Sequence, residues 1–520
     1  MNGQIDILLS MAGYMLVVIF IGVFFAKRSQ QSSENYFLGG RSLGPWVAAM
    51  SAEASDMSGW LLMGLPGVAY WCGLADAAWT AIGLAVGTYV NWLIVSRRLR
   101  NYSQVSGDAI TVPDFLSNRF HEKKKVILSI ASIFILVFFT VYAASCFVTC
   151  GKLFAGLFGT SYHSMMILGA IFVLIYTLIG GFLAESASDF LQAIVMICAL
   201  VGVLVFGTIN AGGIGAVIEN AKAIPGFLSL GELANPVTTE GVQNVVDGIA
   251  QFGEAKPYAW LTALSMMAWG LGYFGVPQVL LRFMAIKEAK QLKSSRRIAT
   301  VWVVISLAAA VMIGIVGRAV FPVSEALSTA SLAENVFAEL ARLLFHPIVA
   351  GIVMAGILAA TISSSDSYLL IAASSVSKNL YQGIIKKDAS DKQVMRLSRI
   401  VLLAIAALGV VIAWDENSVI FNVVSFAWAG FGATFGPVIL FSLFWKRVNR
   451  AGAIAGMISG AAMVFFWKLV LNPMGGLWAI YELLPAFIFS CIVIVIVSLA
   501  TAKPSAEIEA EFDKVKAMKD

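Results

Sequence analysis

The chain has 520 residues, 59% of them hydrophobic and only 12% charged, with a formal net charge of +5. Soluble domains carry charge at about a quarter of their positions, so this composition excludes one and points to an all-α polytopic membrane protein. The five cysteines lie in apolar stretches without ligand spacing and the three histidines, His121, His163 and His346, stand far apart, which excludes a zinc or haem centre. Basic residues that fall in membrane loops are no nucleic-acid footprint.

Apolar runs of about 20 residues are long enough to cross a bilayer. Thirteen are expected: 5–26, 44–71, 75–96, 126–154, 162–184, 189–210, 257–281, 298–321, 345–377, 397–414, 418–445, 451–471 and 479–501. The first has no basic leader or small-residue cleavage site and reads as a retained helix. With the N-terminus outside, 29 of the 35 Lys and Arg residues fall on the inner side, leaving Lys152, Lys222, Lys256, Arg318, Arg342 and Lys468 outside. The positive-inside rule therefore predicts N-terminus out and C-terminus in. The connection 211–256 is expected to be a folded outer loop with a helical turn or two. The tail, 502–520, is charged and expected to lie free in the cytoplasm as a short helix.

Span two contains Ala52-Glu53-Ala54-Ser55-Asp56-Met57-Ser58-Gly59-Trp60, two carboxylates and two hydroxyls in an apolar run. A carboxylate at mid-membrane depth costs about 2.5–3.5 kcal/mol, so Asp56 is a functional candidate. The small residues around it favour a local unwinding that would turn backbone carbonyls toward a cavity, a site suited to a small hard cation. The plainer reading is that Asp56 pairs with a neighbouring helix or caps a half-helix. Asp189, after Glu185 at the start of span six, either faces the same interior or is a solvated acid at a loop edge.

Span seven is interrupted by Gly270, Gly272, Gly275 and Pro277, with Trp269 and Tyr273 beside the break. Spans two and seven begin two successive groups of five, and because five is odd the groups run in opposite senses. Span nine carries Ala360, Ser363, Ser364 and Ser367 on one stripe at about 100° per residue, with Asp366 alongside. Such a stripe can offer several oxygens to one ion, or can simply pack helices together.

The sequences Leu38-Gly39-Gly40-Arg41-Ser42-Leu43-Gly44-Pro45, Ala54-Ser55-Asp56-Met57-Ser58-Gly59-Trp60-Leu61-Leu62-Met63-Gly64-Leu65-Pro66-Gly67, Trp269-Gly270-Leu271-Gly272-Tyr273-Phe274-Gly275 with Pro277, and Ala427-Trp428-Ala429-Gly430-Phe431-Gly432 resemble the sodium/solute symporter family. The resemblance runs from the first span to the last. It implies a leucine-transporter-type fold in one transmembrane domain, 1–501, with an extra span at 5–26, inverted five-helix repeats at 44–210 and 257–445, and two further spans at 451–501.

It also implies a sodium site made by the carbonyls of Ala54, Met57 and Ala360 and the hydroxyls of Ser363 and Ser364. Asp56, Ser58, Trp60, Trp269, Tyr273 and Pro277 would shape the solute pocket, and Asp189, Asp366 and Ser367 a second sodium site or ion path. Arg41 and Glu53 would serve coupling or gating; Glu53 stands where well-studied relatives carry a small residue, so it either brings a coupled proton, tunes ion affinity, or faces a polar crevice. The implied activity is sodium-coupled uptake of L-proline across the cell membrane by a monomer in the lipid bilayer, with sodium as the only metal and no organic cofactor. The alternatives are another small amino or carboxylic acid as solute, or a symporter-like membrane sensor. An enzyme is disfavoured, since no nucleophile–base pair or cofactor motif is present.

Overall fold

The computed structural model describes residues 2–29 and 32–518. Among them ten helices are long and apolar enough to cross a membrane, and the bent pair Trp260–Phe274 and Pro277–Ala285 makes up to eleven. In chain order, α1 is Asn2–Ser29, α2 Pro45–Asp56, α3 Trp60–Cys72, α4 Leu74–Val105, α5 Val126–Phe158, α6 Tyr162–Gly180, α7 Phe182–Asn210, α8 Trp260–Phe274 and α9 Pro277–Ala285. There follow α10 Ala289–Val320, α11 Pro347–Ile385, α12 Asp391–Ile412, α13 Ile420–Phe444, α14 Arg450–Met474, α15 Leu483–Ala500 and α16 Ala506–Ala517. Each of the thirteen apolar stretches expected from the sequence contains helix, but those at α2–α3 and α6 hold only shorter apolar helices.

Proline and glycine set the punctuation. Pro45, Pro277 and Pro347 each sit in the first turn of a helix, where the missing N–H costs nothing. The two interrupted stretches break as their compositions predict, α2 from α3 at Met57–Gly59 and α8 from α9 at Gly275–Val276 with a 41° bend. Both breaks lie against α11 and α13, whose apolar windows are 83% buried, whereas that of α1 is 22% buried and lies at the periphery. Polar residues on α11 and α13 therefore face protein rather than lipid.

The break in span seven is pressed closely by α4. A Cβ added to Gly270 would lie 2.1 Å from the Gly83 carbonyl oxygen, and one on Gly87 would lie 2.4 Å from the Gly270 Cα. Only small residues let two backbones approach in this way. Gly270→Ala is expected to destabilise the fold by about 1–3 kcal/mol through overpacking, read as a lower melting temperature of the purified protein.

The connection 211–256 is more structured than its composition suggests. It holds a helix, Ile214–Lys222, and two antiparallel hairpins, β2 (Thr238–Thr239) with β3 (Val242–Gln243) and β4 (Val245–Val246) with β5 (Ile249–Ala250), enclosed by an antiparallel pair of β1 (Glu232–Leu233) with β6 (Lys256–Pro257). It is fastened down: the Ala234 N–H donates to Cys72 O at 3.2 Å, the Leu74 N–H donates to Phe227 O at 2.8 Å, and the Tyr258 hydroxyl donates to Asp76. Arg318, at the end of α10, lies 3.9 Å from the Tyr70 ring centroid and donates to Gln243 Oε1 at 3.2 Å.

At the opposite, basic face the expectation of a free tail is corrected. Helix α16 buries Ile508, Phe512 and Val515. Arg98 is sandwiched between the rings of Phe444 and Phe512 at 5.0 and 4.9 Å, Lys446 pairs with Asp513 at 2.6 Å, and His121 meets Glu511 at 2.9 Å. The apolar residues recur at helical spacing along one face, and that stripe outweighs the charge on the other.

Candidate functional site

The break after α2 releases backbone oxygen. The Met57 N–H still reaches Glu53 O, at 2.8 Å, but the Ser58 N–H turns to Asp56 O at 3.0 Å, and Ala54 O accepts instead from α11. Ser363 donates to it at 2.7 Å and Ser364 at 3.2 Å, while Ser363 also lies 3.2 Å from Ala360 O. Four of the five expected cation ligands are thus linked by hydrogen bonds, Ser363 and Ser364 reaching from α11 to the broken helix and Ser363 also to Ala360 on its own helix, all fully buried. Their oxygens are hard, neutral donors, the chemistry that suits a monovalent alkali cation.

Asp56 faces the second break. Tyr273 donates its hydroxyl to Asp56 Oδ2 at 2.8 Å, and Gln278, on α9 next to Pro277, reaches Oδ1 at 3.4 Å. Tyr273 is itself held by Asn91, whose amide donates to the Tyr273 carbonyl at 2.9 Å. An aromatic wall follows: Trp269 lies 5.7 Å from Trp60, 6.1 Å from Trp428 and 5.3 Å from Tyr481, ring centroid to centroid. Tyr142 and Tyr368 stack at 4.2 Å across the same region. The Ser58, Tyr142 and Tyr368 hydroxyls lie close to one another, and the Trp269 indole N–H is buried without a hydrogen-bond partner among the described residues. Buried polar atoms left in this state are costly unless a ligand completes them. Glu53 points away from this wall, accepting from the Trp92 indole at 3.2 Å.

The hydroxyl stripe on α11 divides. Ser363 and Ser364 serve the break, whereas Ser367, one turn on, bonds Glu185 and accepts from Arg282 at 2.9 Å. Arg282, on α9 and fully buried, also pairs with Glu185, lies 3.3 Å from Asp189 Oδ2, and donates to Ser51 Oγ at 3.0 Å and Gln278 O at 3.1 Å. Ser51 in turn donates to Asp189 at 2.7 Å. Asp189 is therefore an interior acid and not a solvated one. Asp366 Oδ1 accepts the adjacent Ser367 N–H at 2.8 Å, and its other oxygen has no partner among the described residues.

Arg41 sits apart at the basic face. It donates to Asp108, to Met284 O at 2.6 Å and to Ala109 O at 2.7 Å, so it ties the end of α9 to the segment after α4. Burial lowers its pKa from the ordinary guanidinium value, and Asp108 acts in the other direction. Across the molecule, Lys152 pairs with Glu334 at 2.6 Å, and Glu334 also accepts the Ile420 and Phe421 N–H groups at 3.0 and 3.1 Å, capping α13. Neither Arg282 nor Glu334 is singled out by sequence reasoning. The available signal was Lys152, a cation on the wrong side of the charge count inside an apolar run.

A family model described as "Sodium:solute symporter family" matches residues 36–460. The chain belongs to the sodium:solute symporter family. It is therefore a multi-pass membrane transporter and not an enzyme. Among similar members, a sodium/proline symporter from Staphylococcus aureus strain bovine RF122 / ET3-1 is 39% identical over 521 residues, covering 99% of this chain and 96% of the relative. One from strain USA300 / TCH1516 is 40% identical over 511 residues, covering 97% and 94%.

Solved structures agree on the fold. A sodium-coupled sialic acid symporter, in its substrate-bound outward-open state, superposes with a TM-score of 0.75 at 18% identity, covering 96% of this chain and 99% of that one. A nucleobase-cation-symport-1 family transporter in a closed conformation reaches 0.51 at 12% identity, covering 94% and 100%.

Proposed function

We propose that this symporter drives uptake of L-proline with sodium, by alternating access through thirteen spans in which 44–210 and 257–445 are inverted repeats. The basic face bearing α16 is then cytoplasmic and the hairpin loop external. The observation that carries the ion site is the convergence of the Ser363 and Ser364 hydroxyls on the freed carbonyl of Ala54, with Ala360 O beside Ser363; Met57 O would complete the set. The full-length sodium/proline relatives at about 40% identity support the solute.

The pocket lies on the other side of the first break. Trp60, Trp269 and Tyr273 offer apolar faces to a pyrrolidine ring, and Ser58 with the freed backbone groups offers hydrogen bonds to carboxylate and amine. Asp56 holds Tyr273 and so fixes one wall of the pocket relative to the ion ligands on its own helix. Pro277 sets where α9 begins. Sodium bridging α2 and α11 favours the state that presents the pocket, and by linkage solute tightens sodium to the same degree. One charge moved through 100 mV supplies about 2.3 kcal/mol, and a tenfold sodium gradient adds about 1.4 kcal/mol. Together these sustain several-hundredfold accumulation.

Labelled proline taken up into liposomes against its gradient, under inward sodium and not under inward potassium, is the expected result. Failure under sodium and proton gradients alike overturns the solute assignment and directs the assay to other small amino and carboxylic acids. Tyr273→Phe is expected to raise the half-saturating proline concentration about tenfold or more, since a hydrogen bond to a carboxylate contributes about 1.5–3 kcal/mol. Uptake kinetics at saturating sodium check it.

A further inference from the structure

We propose that Arg318 anchors a second binding site, remote from both helix breaks, that takes a small carboxylate with an apolar body. Arg318, near the end of α10, is 2% exposed. Its Nε donates to Tyr70 O at 3.1 Å, and its Nη1 donates to Gln243 Oε1 at 3.2 Å and to Pro322 O at 3.3 Å. All three acceptors are neutral. The rings of Tyr70 and Phe252 lie beside the guanidinium, their centroids 3.9 and 5.2 Å from its carbon. The remaining nitrogen, Nη2, is buried and has no hydrogen-bond partner among the described residues.

A buried cation without a counter-charge is costly, and carbonyls and ring faces offset only part of its lost hydration. The other buried arginines among the described residues are answered by acids. Arg282 pairs with Glu185 and Asp189 and Arg41 with Asp108, while Arg100 stands within electrostatic range of Asp108 and Arg119 of Glu511. Arg318 has only the Tyr70 phenol in that range. It does border a cavity of about 500 Å³, between the end of helix Ile214–Lys222, the β5 segment and Val323. That size suits a small-molecule site. Ile224, Ile249, Phe252 and Val323 supply apolar walls, and Asn220 and Gln251 supply polar groups. With Nε and Nη1 engaged, the fork has one arm left, so it meets one carboxylate oxygen end-on through Nη2. The walls then take a short aliphatic body, which a bare inorganic ion would leave unused. Because β5 and the helix belong to the 211–256 connection, a ligand held there also fastens that connection to α10.

The test is the melting temperature of the purified full chain as a function of isobutyrate concentration, compared with the neutral isostere isobutyramide at matched sodium concentration and ionic strength. A ligand that binds only the folded chain raises the melting temperature with its concentration. The expected result is a rise with isobutyrate and none with isobutyramide, kept in the solute-pocket variant Tyr273→Phe. In Arg318→Gln the same rise should need about tenfold or more isobutyrate, as loss of a hydrogen bond to a charged group requires. No rise in the native chain, or one that Arg318→Gln leaves unchanged, overturns the site. A rise lost in Tyr273→Phe and kept in Arg318→Gln belongs to the solute pocket and overturns it equally. An Arg318-dependent rise with chloride that isobutyrate does not exceed marks a site for inorganic anions and overturns the carboxylate assignment.

Should Arg318→Gln fail to fold, Ile249→Glu replaces it. Ile249 is 66% exposed on the cavity wall, so the fold tolerates the change and a fixed carboxylate there opposes an anionic ligand. A weakened isobutyrate response is expected, and an unchanged one overturns the proposal. Melting reports binding and not flux, so failure here leaves the proline reading standing, and failure of proline uptake leaves this site standing.

Discussion

Ser363→Ala is expected to raise the half-saturating sodium concentration about 30-fold or more, because one oxygen of a small buried ligand set is lost and a hydrogen bond or ion contact of this kind contributes about 2–3 kcal/mol. The hydroxyl lies 2.7 Å from Ala54 O and 3.2 Å from Ala360 O, so it joins the two helices that the ion would bridge. Ser364 still donates to Ala54 O at 3.2 Å, so the carbonyl is not orphaned and the fold tolerates the change. The measurement is proline uptake as a function of sodium, with Ser363→Thr as the variant that keeps the hydroxyl. Uptake with unaltered sodium dependence removes Ser363 from the ligand set and leaves its role as helix packing.

Glu334→Gln is expected to destabilise the protein by about 3–5 kcal/mol, the usual cost of leaving one member of a buried ion pair without its counter-charge. Lys152 and Glu334 side chains are 6% and 1% exposed, so water cannot take over. The same carboxylate accepts the Ile420 and Phe421 N–H groups, and a neutral amide answers the positive end of α13 less well. Adding Lys152→Met to the variant should restore much of the loss, because a matched apolar replacement removes the uncompensated charge. Melting temperatures of the single and double variants decide it; equal stability of native and Glu334→Gln would show that the pair holds nothing together.

The two breaks were legible because their residues contradict their surroundings. Small and polar residues at Ala54–Gly59, and three glycines with a proline between Trp269 and Pro277, are poor helix formers inside apolar runs, and the chain unwinds there. The Ser363–Ser364 pair was legible for the same reason. Arg282 was not: it stands just past the apparent end of an apolar run, among loop cations, and only the approach of Glu185, Asp189 and Ser367 from two other helices reveals it as interior. Glu334 was hidden in the same way, since its partners come from distant parts of the chain.

The tail is a different lesson. Ile508, Phe512 and Val515 carry the amphipathic spacing plainly, but over 12 residues net polarity dominates any reading that does not track the stripe. The strand pairs of 232–257 were obscure because strands of two residues leave no alternation to detect.

Those hairpins have an experimental use. Each bond fastening the 211–256 connection that was named above goes to α3, α4 or the end of α10, and Arg318 rivets it to Tyr70. A fluorophore or antibody fragment placed on the exposed tips near Glu240 or Asp247 would report the attitude of that group of helices without touching either breach in the helices themselves. Paired with a second label beside Trp414, at the end of α12, it would turn each transport cycle into a change of distance visible in single molecules.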